Sequence, residues 1–217
     1  MTWKSVAEFL QENGGKPYKS FKKCDGAERN QMMALHVNAI HTISEFESLA
    51  MEACAGIHGL CLVRMIRKNF LDGSMRHLRS YTWERFCVSD DINSPANISL
   101  FCEKFGDEMR FRVAIDIDLK SADPDQLEIY NKSLLRFERP EGMVYLANSY
   151  GNKDLTECNI SGDELYSEIM SGKYRKAEIA YIIQASEPDN KITEEVNWAL
   201  RKLKPIYEDI LESMANE

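Results

Sequence analysis

The strongest constraint on the fold of this sequence is a regular alternation of apolar and polar side chains from Met109 to Lys120. In this stretch every odd position is apolar, whereas every even position except Ala114 is charged. Because successive side chains of a β-strand point to opposite faces, the alternation predicts a strand with one dry face and one wet face. Such a strand would extend roughly 40 Å, at about 3.3 Å per residue, and a strand of that length belongs within a sheet.

A second alternating run, from Ile98 to Glu103, precedes this strand. The two runs are separated by Phe105-Gly106-Asp107-Glu108, in which the glycine can adopt the positive φ of a tight turn. We therefore predict an antiparallel hairpin over 97–120, with one face in the core and one polar face.

Capping signals mark where the longer helices begin. Asp25-Gly26-Ala27-Glu28 is a capping box that opens a long helix, 26–56, and the wide apolar arc of this helix predicts burial on more than one side. Asp123-Pro124-Asp125-Gln126 opens a second helix, with proline at the first helical position. Near the C-terminus, apolar positions from Ile192 to Met214 predict a long amphipathic helix that is kinked or broken at Pro205.

Shorter elements complete the predicted architecture. A short helix within 1–15, capped by Thr2, could form a small N-terminal appendage. Apolar and aromatic content predicts four further strands, at 59–67, 80–88, 142–147 and 177–184. We predict a single α+β domain, 1–217, with a mostly antiparallel sheet built around the central hairpin and packed by the two long helices.

Composition limits the classes of function. Hydrophobic residues make up 44% of the 217 residues, enough for a core, and the net charge of −8 disfavours a general binder of phosphate backbones. No apolar run approaches the roughly 20 residues of a membrane span, and the acidic, amphipathic N-terminus is unlike a signal peptide. The six cysteines contain no C-x-x-C pair. Reduced core thiols in a soluble cytoplasmic protein are the expected state.

A basic loop supplies the first functional hypothesis. The segment Gly15–Lys23 carries four lysines interleaved with two aromatic residues: Lys16, Lys19, Lys22 and Lys23 with Tyr18 and Phe21. Together with Arg110 and Arg112 of the central strand, these lysines could bind an acidic or phosphate-bearing partner. Our leading hypothesis is a non-catalytic recognition module, without a cofactor, that binds a protein or a nucleic acid through the loop and the charged sheet face. The C-terminal helix could also form a homodimer.

The alternative hypothesis is a metal-dependent nuclease. Asp118-Leu119-Lys120 resembles the D-x-K half of the P-D-(D/E)-x-K nuclease family, and the predicted order of helices and strands is compatible with that family's α-β-β-β-α-β core. The resemblance implies that Asp118 and a second acid hold Mg²⁺ or Mn²⁺, with Lys120 near the attacking water. Residue 118 should lie opposite residue 95, so Asp91 is the candidate second acid, although no Pro-Asp pair occurs there.

The remaining charges of the central strand have a simpler interpretation. Arg110, Arg112 and Asp116 are expected to pair with one another or with an element that covers the sheet.

Overall fold

The structure is a computed structural model that describes residues 2–63, 71–72, 77–88, 93–150 and 155–216. Five α-helices occur in these residues: α1 (Trp3–Asn13), α2 (Gly26–Cys54), α3 (Pro124–Leu135), α4 (Gly162–Met170) and α5 (Asp189–Ala215). The strands are β1 (Leu60–Val63), β2 (Leu71–Asp72), β3 (His77–Leu78), β4 (Tyr81–Val88), β5 (Ala96–Phe105), β6 (Glu108–Ile117), β7 (Val144–Ser149), β8 (Leu155–Cys158) and β9 (Tyr174–Gln184).

Seven of these strands form one antiparallel sheet in the order β1-β4-β5-β6-β9-β7-β8, and β2 pairs with β3 in a small separate hairpin. The central hairpin, β5–β6, lies in the middle of the large sheet. The predicted α+β class and the antiparallel sheet are therefore confirmed.

The turn of the central hairpin and its register agree with the sequence prediction. Phe105 pairs with Glu108 across a two-residue turn, and Gly106 has a φ of 62°, a conformation that costs glycine little. At the other end, the amide of Asp118 donates to the carbonyl of Pro95 at 2.9 Å.

The end of the strand differs from the prediction. β6 stops at Ile117 rather than at Lys120, because the chain turns there. The amides of Ser121 and Ala122 both donate to the carbonyl of Asp118, at 3.0 and 2.9 Å. Asp118 and Lys120 therefore belong to a turn and not to the strand, which corrects the predicted hairpin boundary.

The helices pack on one face of the sheet. The main core cluster contains buried residues from all five helices together with the odd-numbered side chains of β6, such as Phe111, Val113 and Ile115. A second, small cluster consists of Ala114, Leu146 and Ala180, which come from three strands, and no described helix contributes to it. The two clusters lie on opposite faces, because successive residues of a strand alternate in direction.

The N-terminal helix belongs to the same core. Trp3 is fully buried, with its ring edge-on to Phe46 and Phe111 at centroid distances of 6.0 and 5.1 Å. Its indole Nε1 donates to the hydroxyl of Thr193 at 2.8 Å, which links α1 to α5.

Two helix predictions need correction. α5 is one continuous helix from Asp189 to Ala215 that includes Pro205, so the predicted break at this proline is wrong, whereas a kink there stays a prediction. Buried side chains on both sides of the proline, such as Leu203 and Ile206, hold the helix against the core. In α2, the face opposite the core is exposed, with Met33, Val37 and Ile40 about half accessible to solvent. The helix is thus buried on one side, because no other described element packs on its outer face.

Candidate functional site

The face of the large sheet opposite the helices carries most of the chain's unusual side-chain chemistry. We call it the outer face. It bears the even-numbered side chains of β6 and β9 and the odd-numbered side chains of β4 and β5, as the strand register requires. The alternation in β6 predicted a wet face at this surface. That prediction is wrong for most of the strand, because Arg110, Arg112 and Ala114 are buried.

Six charged side chains form a chain of ion pairs across the middle of the outer face. We call them the charge network: Glu103, Arg110, Arg112, Asp116, Lys176 and Glu178. The first half joins β5 to β6. Arg110 Nη2 lies 2.8 Å from Glu103 Oε1, and Arg112 contacts both oxygens of the same carboxylate, at 2.9 and 3.0 Å.

The second half of the network joins β6 to β9. Arg112 Nη1 donates to Glu178, whose other oxygen lies 3.0 Å from Lys176 Nζ. Lys176 also donates to Asp116. With three cations and three carboxylates, the network has no net charge when all its members are ionised.

Four of the six members of the charge network are buried, and Glu103 and Asp116 are partly buried, although no described helix covers the network. Arg112 is 3% exposed and Glu178 is 2% exposed. The prediction that Arg110, Arg112 and Asp116 would pair with one another or with a covering element is therefore wrong. Their partners, Glu103, Lys176 and Glu178, come from the neighbouring strands, and the expectation considered only the charges of β6 itself.

The environment of Glu103 favours its ionised form. Burial by itself would raise the pKa of this carboxyl, but the charges and hydrogen bonds of Arg112 and Arg110 outweigh burial and hold the pKa below its ordinary value. Glu103 is thus a charged acceptor shared by two guanidinium groups, and such charge-assisted pairs are among the stronger hydrogen bonds in proteins.

In the half of the network that joins β6 to β9, burial and neighbouring charges likewise have opposite effects on the pKa values of Lys176 and Glu178. Burial opposes the charge on Lys176, yet Asp116 and Glu178 raise the pKa of its ammonium group well above normal. Burial also raises the pKa of Glu178, in spite of contact with two cations. The proton stays on Lys176, because an amine between two carboxylates is a far stronger base than a carboxylate between two cations.

Aromatic side chains flank the charge network on β4 and β5. We call them the aromatic patch: Tyr81, Trp83, Phe101 and Phe105. Tyr81 and Phe105 are 41% and 55% exposed. The rings of Tyr81 and Trp83 lie 5.6 Å apart, and Arg79 lies over both.

The aromatic patch and the charge network are in direct contact. The guanidinium carbons of Arg110 and Arg112 lie 3.9 Å from the ring centres of Phe105 and Phe101, respectively. Cation–π stacking of this kind fixes the position of both partners. Sequence reasoning missed this patch, although Tyr81 and Trp83 occupy alternate positions of β4, which places both side chains on the face of Glu103 once the register is known.

The basic loop adjoins the same end of the sheet as the aromatic patch. The amide of Gly15 donates to the carbonyl of Leu78 at 2.8 Å, and the amide of Leu78 donates to the carbonyl of Lys16 at 3.0 Å. Leu78 directly precedes Arg79, which lies over the rings of the patch. The loop itself packs on α2, where the Tyr18 hydroxyl lies 3.0 Å from His36 Nδ1.

The four lysines of the loop are all exposed: Lys16, Lys19, Lys22 and Lys23. Lys19 Nζ lies 3.1 Å from Glu28 at the start of α2, and this ion pair partly neutralises the loop.

The residues of the nuclease hypothesis meet a different environment. Asp118 accepts from the amide of Lys120 at 3.0 Å and from the hydroxyl of Ser121 at 2.8 Å, so each carboxylate oxygen is used within its own turn. Burial would raise the pKa of Asp118, but these two hydrogen bonds, together with the charges of Arg85 and Lys120, outweigh burial and lower the pKa. Lys120 is exposed, and Asp91 lies outside the described residues.

The described ranges contain neither a metal-binding cluster nor a membrane-spanning helix. No three side chains of the kind that ligate metals (His, Cys, Asp or Glu) gather there in a way that could hold an ion. In the same ranges, no helix combines the length and the apolar character needed to cross a membrane. Comparison of the chain with models of protein families, with curated proteins and with solved structures gave no match.

Proposed function

We propose that this protein is a non-catalytic recognition module that binds a protein partner through the outer face of its sheet. The observation that carries the proposal is the aromatic patch, where Tyr81 and Phe105 stand exposed beside stacked arginines on a face that no described helix covers. Tyrosine, tryptophan and arginine are the residues that most often dominate the energy of protein interfaces.

The charge network favours a protein over a nucleic acid as the partner. Binding to a phosphate backbone draws its affinity from cations that neutralise phosphates. Arg110 and Arg112 already neutralise Glu103 and Glu178, so they bring no excess positive charge to the surface. Their role in binding is to hold the rings of Phe105 and Phe101, on which they stack, in a fixed position.

The expected partner surface is apolar with acidic side chains at its border. Lys16, Lys22 and Lys23 are exposed on the basic loop, which hydrogen-bonds to Leu78 of β3, three residues before Tyr81 of the patch. Rim charges of this kind mainly raise the rate of association and select the partner. We also propose that binding takes place in the cytoplasm, because the sequence leads us to expect reduced thiols for its six cysteines, none of them in a C-x-x-C pair.

Paired surface substitutions test the proposal. A partner is captured with the wild-type protein, identified, purified, and titrated against variants by calorimetry. Tyr81→Ala with Phe105→Ala should weaken binding roughly 10- to 100-fold, as expected for the loss of hot-spot side chains. The matched control is Tyr150→Ala with Met170→Ala, which removes two large side chains that are even more exposed and lie away from the patch.

The loop is tested by reversing charge. Lys22→Glu with Lys23→Glu should slow association and leave dissociation nearly unchanged, as measured by stopped flow at two salt concentrations. Binding that survives the patch variants, or that is weakened as much by the control pair, contradicts the assignment of the outer face.

Two further outcomes would replace the proposal with another function. Salt-dependent binding of a single-stranded oligonucleotide that is lost in the patch variants would assign the face to nucleic acid. Cleavage of DNA or RNA with Mg²⁺ or Mn²⁺ that disappears in Asp118→Ala and Lys120→Ala would establish the nuclease.

A homodimer through α5 is tested separately by sedimentation of Trp198→Glu, since Trp198 is a partly exposed aromatic residue on that helix.

A further inference from the structure

Two cysteines of the outer face lie side by side on neighbouring strands. Cys61 of β1 is the direct cross-strand partner of Cys87 of β4, and their sulfur atoms are 3.6 Å apart. The Cys61 thiol also lies 3.4 Å from the carbonyl oxygen of Cys87. We propose that this pair is a dithiol site that a small-molecule disulfide converts into a Cys61–Cys87 cross-strand disulfide.

The backbone is already arranged for the bond. Residues directly opposite each other in an antiparallel pair have Cα atoms about 4.5–5.5 Å apart, within the range that disulfides span. The sulfur atoms need to approach by about 1.5 Å to reach bonding distance, which side-chain rotation can supply without a shift of either strand.

Exposure fixes the order in which the two thiols react. Cys61 is partly exposed, whereas Cys87 is buried. The thiolate of Cys61 attacks one sulfur of oxidised glutathione, which forms a mixed disulfide and releases one glutathione thiol. The thiolate of Cys87 then attacks the Cys61 sulfur, and the second glutathione leaves as a thiol. The two protein thiols lose two electrons in total and glutathione gains them, and both protons end on the released thiols.

The other cysteines lack this arrangement. Burial raises the pKa of the Cys102 thiol well above normal and keeps it from solvent. Cys54 is the other candidate partner for Cys61, because Cys61 contributes to raising the pKa of the Cys54 thiol. Burial is the larger cause of that raised pKa, however, and the Cys54 thiol donates to the carbonyl of Met51 in its own helix. The Cys54 thiol is thus hydrogen-bonded within its own helix, whereas Cys61 has a sulfur atom directly across the strand pair.

The disulfide would restrain an edge of the sheet. β1 is the first strand in the sheet order, and it has only four residues. The bond closes the chain from 61 to 87, and this segment includes Arg79, Tyr81 and Trp83. Oxidation therefore links β1 covalently to β4. It restrains both ends of the segment 61–87, which supplies part of the aromatic patch. This inference stands on the sulfur geometry and does not depend on the proposed function.

The test uses the full chain with oxidised glutathione as the probe. After incubation and acid quench, intact mass should fall by two hydrogen atoms with no glutathione adduct, and peptide mapping should link the peptide of Cys61 to that of Cys87. Cys61→Ser should abolish the link, and Cys54→Ser should leave it unchanged. Circular dichroism confirms that each variant folds, and Cys61 is the better position for substitution because it is only partly buried.

Hydrogen exchange tests the structural consequence. Amides of β1 should exchange at least tenfold more slowly in the oxidised protein than in the reduced protein, with Cys61→Ser showing no difference between the two conditions. A stable glutathione adduct at Cys61, a Cys54–Cys61 link, or oxidation elsewhere while Cys61 and Cys87 stay reduced would overturn the proposal. Unchanged or faster exchange in β1 after the link forms would overturn the restraint.

Discussion

At the scale of single residues, Arg112 is the side chain that joins the centre of the sheet. It contacts Glu103 on one neighbouring strand and Glu178 on the other, and its guanidinium stacks on Phe101. A buried ion pair repays its desolvation only when further hydrogen bonds satisfy both partners. Arg112 meets this condition with two carboxylates and an aromatic face, so its guanidinium lies in a fixed orientation.

The pKa shift of Glu103 predicts how stability depends on pH. Its pKa in the folded protein lies below the ordinary value of 4.5, so the ionised carboxylate stabilises the fold fully above that value. The stabilisation is lost as the pH falls through the folded pKa. The free energy of unfolding, from urea titrations between pH 6 and pH 3, should therefore fall more steeply for the wild type than for Glu103→Gln.

The comparison isolates one carboxylate, because all other titrating groups are shared by the two proteins. Glu103→Gln keeps the size of the side chain and should lower stability at pH 6, where the wild-type carboxylate is charged. Parallel pH profiles for the two proteins would show that Glu103 contributes no acid-labile stabilisation.

At the scale of elements, the first turns of α2 and α3 share the capping-box sequence pattern, but only α3 forms the capping hydrogen bonds. In α3, the side chain of Asp123 accepts from the amide of Gln126 at 2.8 Å, and the Gln126 side chain accepts in return from the amide of Asp123. In α2, Asp25 occupies the same capping position but makes no side-chain capping hydrogen bond. Its partner in the pattern, Glu28, pairs instead with Lys19.

The two caps should respond differently to the same substitution. Asp123→Ala should lower the free energy of unfolding by about 1 kcal/mol, the usual cost of removing a capping side chain. Asp25→Ala, as the matched control, should cost clearly less, because no capping hydrogen bond is lost. Urea denaturation measures both, and equal losses would contradict the assigned difference between the caps.

At the scale of the whole molecule, one core joins the helices to the inner face of the sheet. α1 reaches this core through Trp3, and α5 crosses behind β5, where the hydroxyl of Tyr207 donates to the carbonyl of Ala96 at 3.2 Å. α5 also meets the end of α2, where the side-chain amide of Asn197 donates to the backbone carbonyl of Ala53. The N-terminal segment, the sheet and the C-terminal helix therefore depend on the same packing.

Truncation of Trp3 tests this shared core. Trp3→Ala should lower the free energy of unfolding by about 3–5 kcal/mol, as for other large aromatic residues removed from cores. Unfolding should stay a single transition in circular dichroism and in tyrosine fluorescence. Trp198→Ala is the control, because this tryptophan is partly exposed and should cost much less. A separate early transition for α1 would instead identify residues 1–15 as an appendage.

Local patterns in the sequence determined the parts of the fold that depend on neighbouring residues. The hairpin, its two-residue turn and the approach of residue 118 to residue 95 follow from alternation and one glycine. The start of α3 follows from its capping residues. These features could be predicted because strand periodicity and helix capping act over only a few residues.

Only the tertiary structure decided what the charges of the central strand contact. Arg112 and Glu178 are 66 residues apart in the chain, and Lys176 and Asp116 are 60 apart. No local pattern connects such pairs, since they meet only after β9 has paired with β6. The same long-range pairing sets Cys61 beside Cys87, and the packing of all five described helices on one face leaves the aromatic patch on the other.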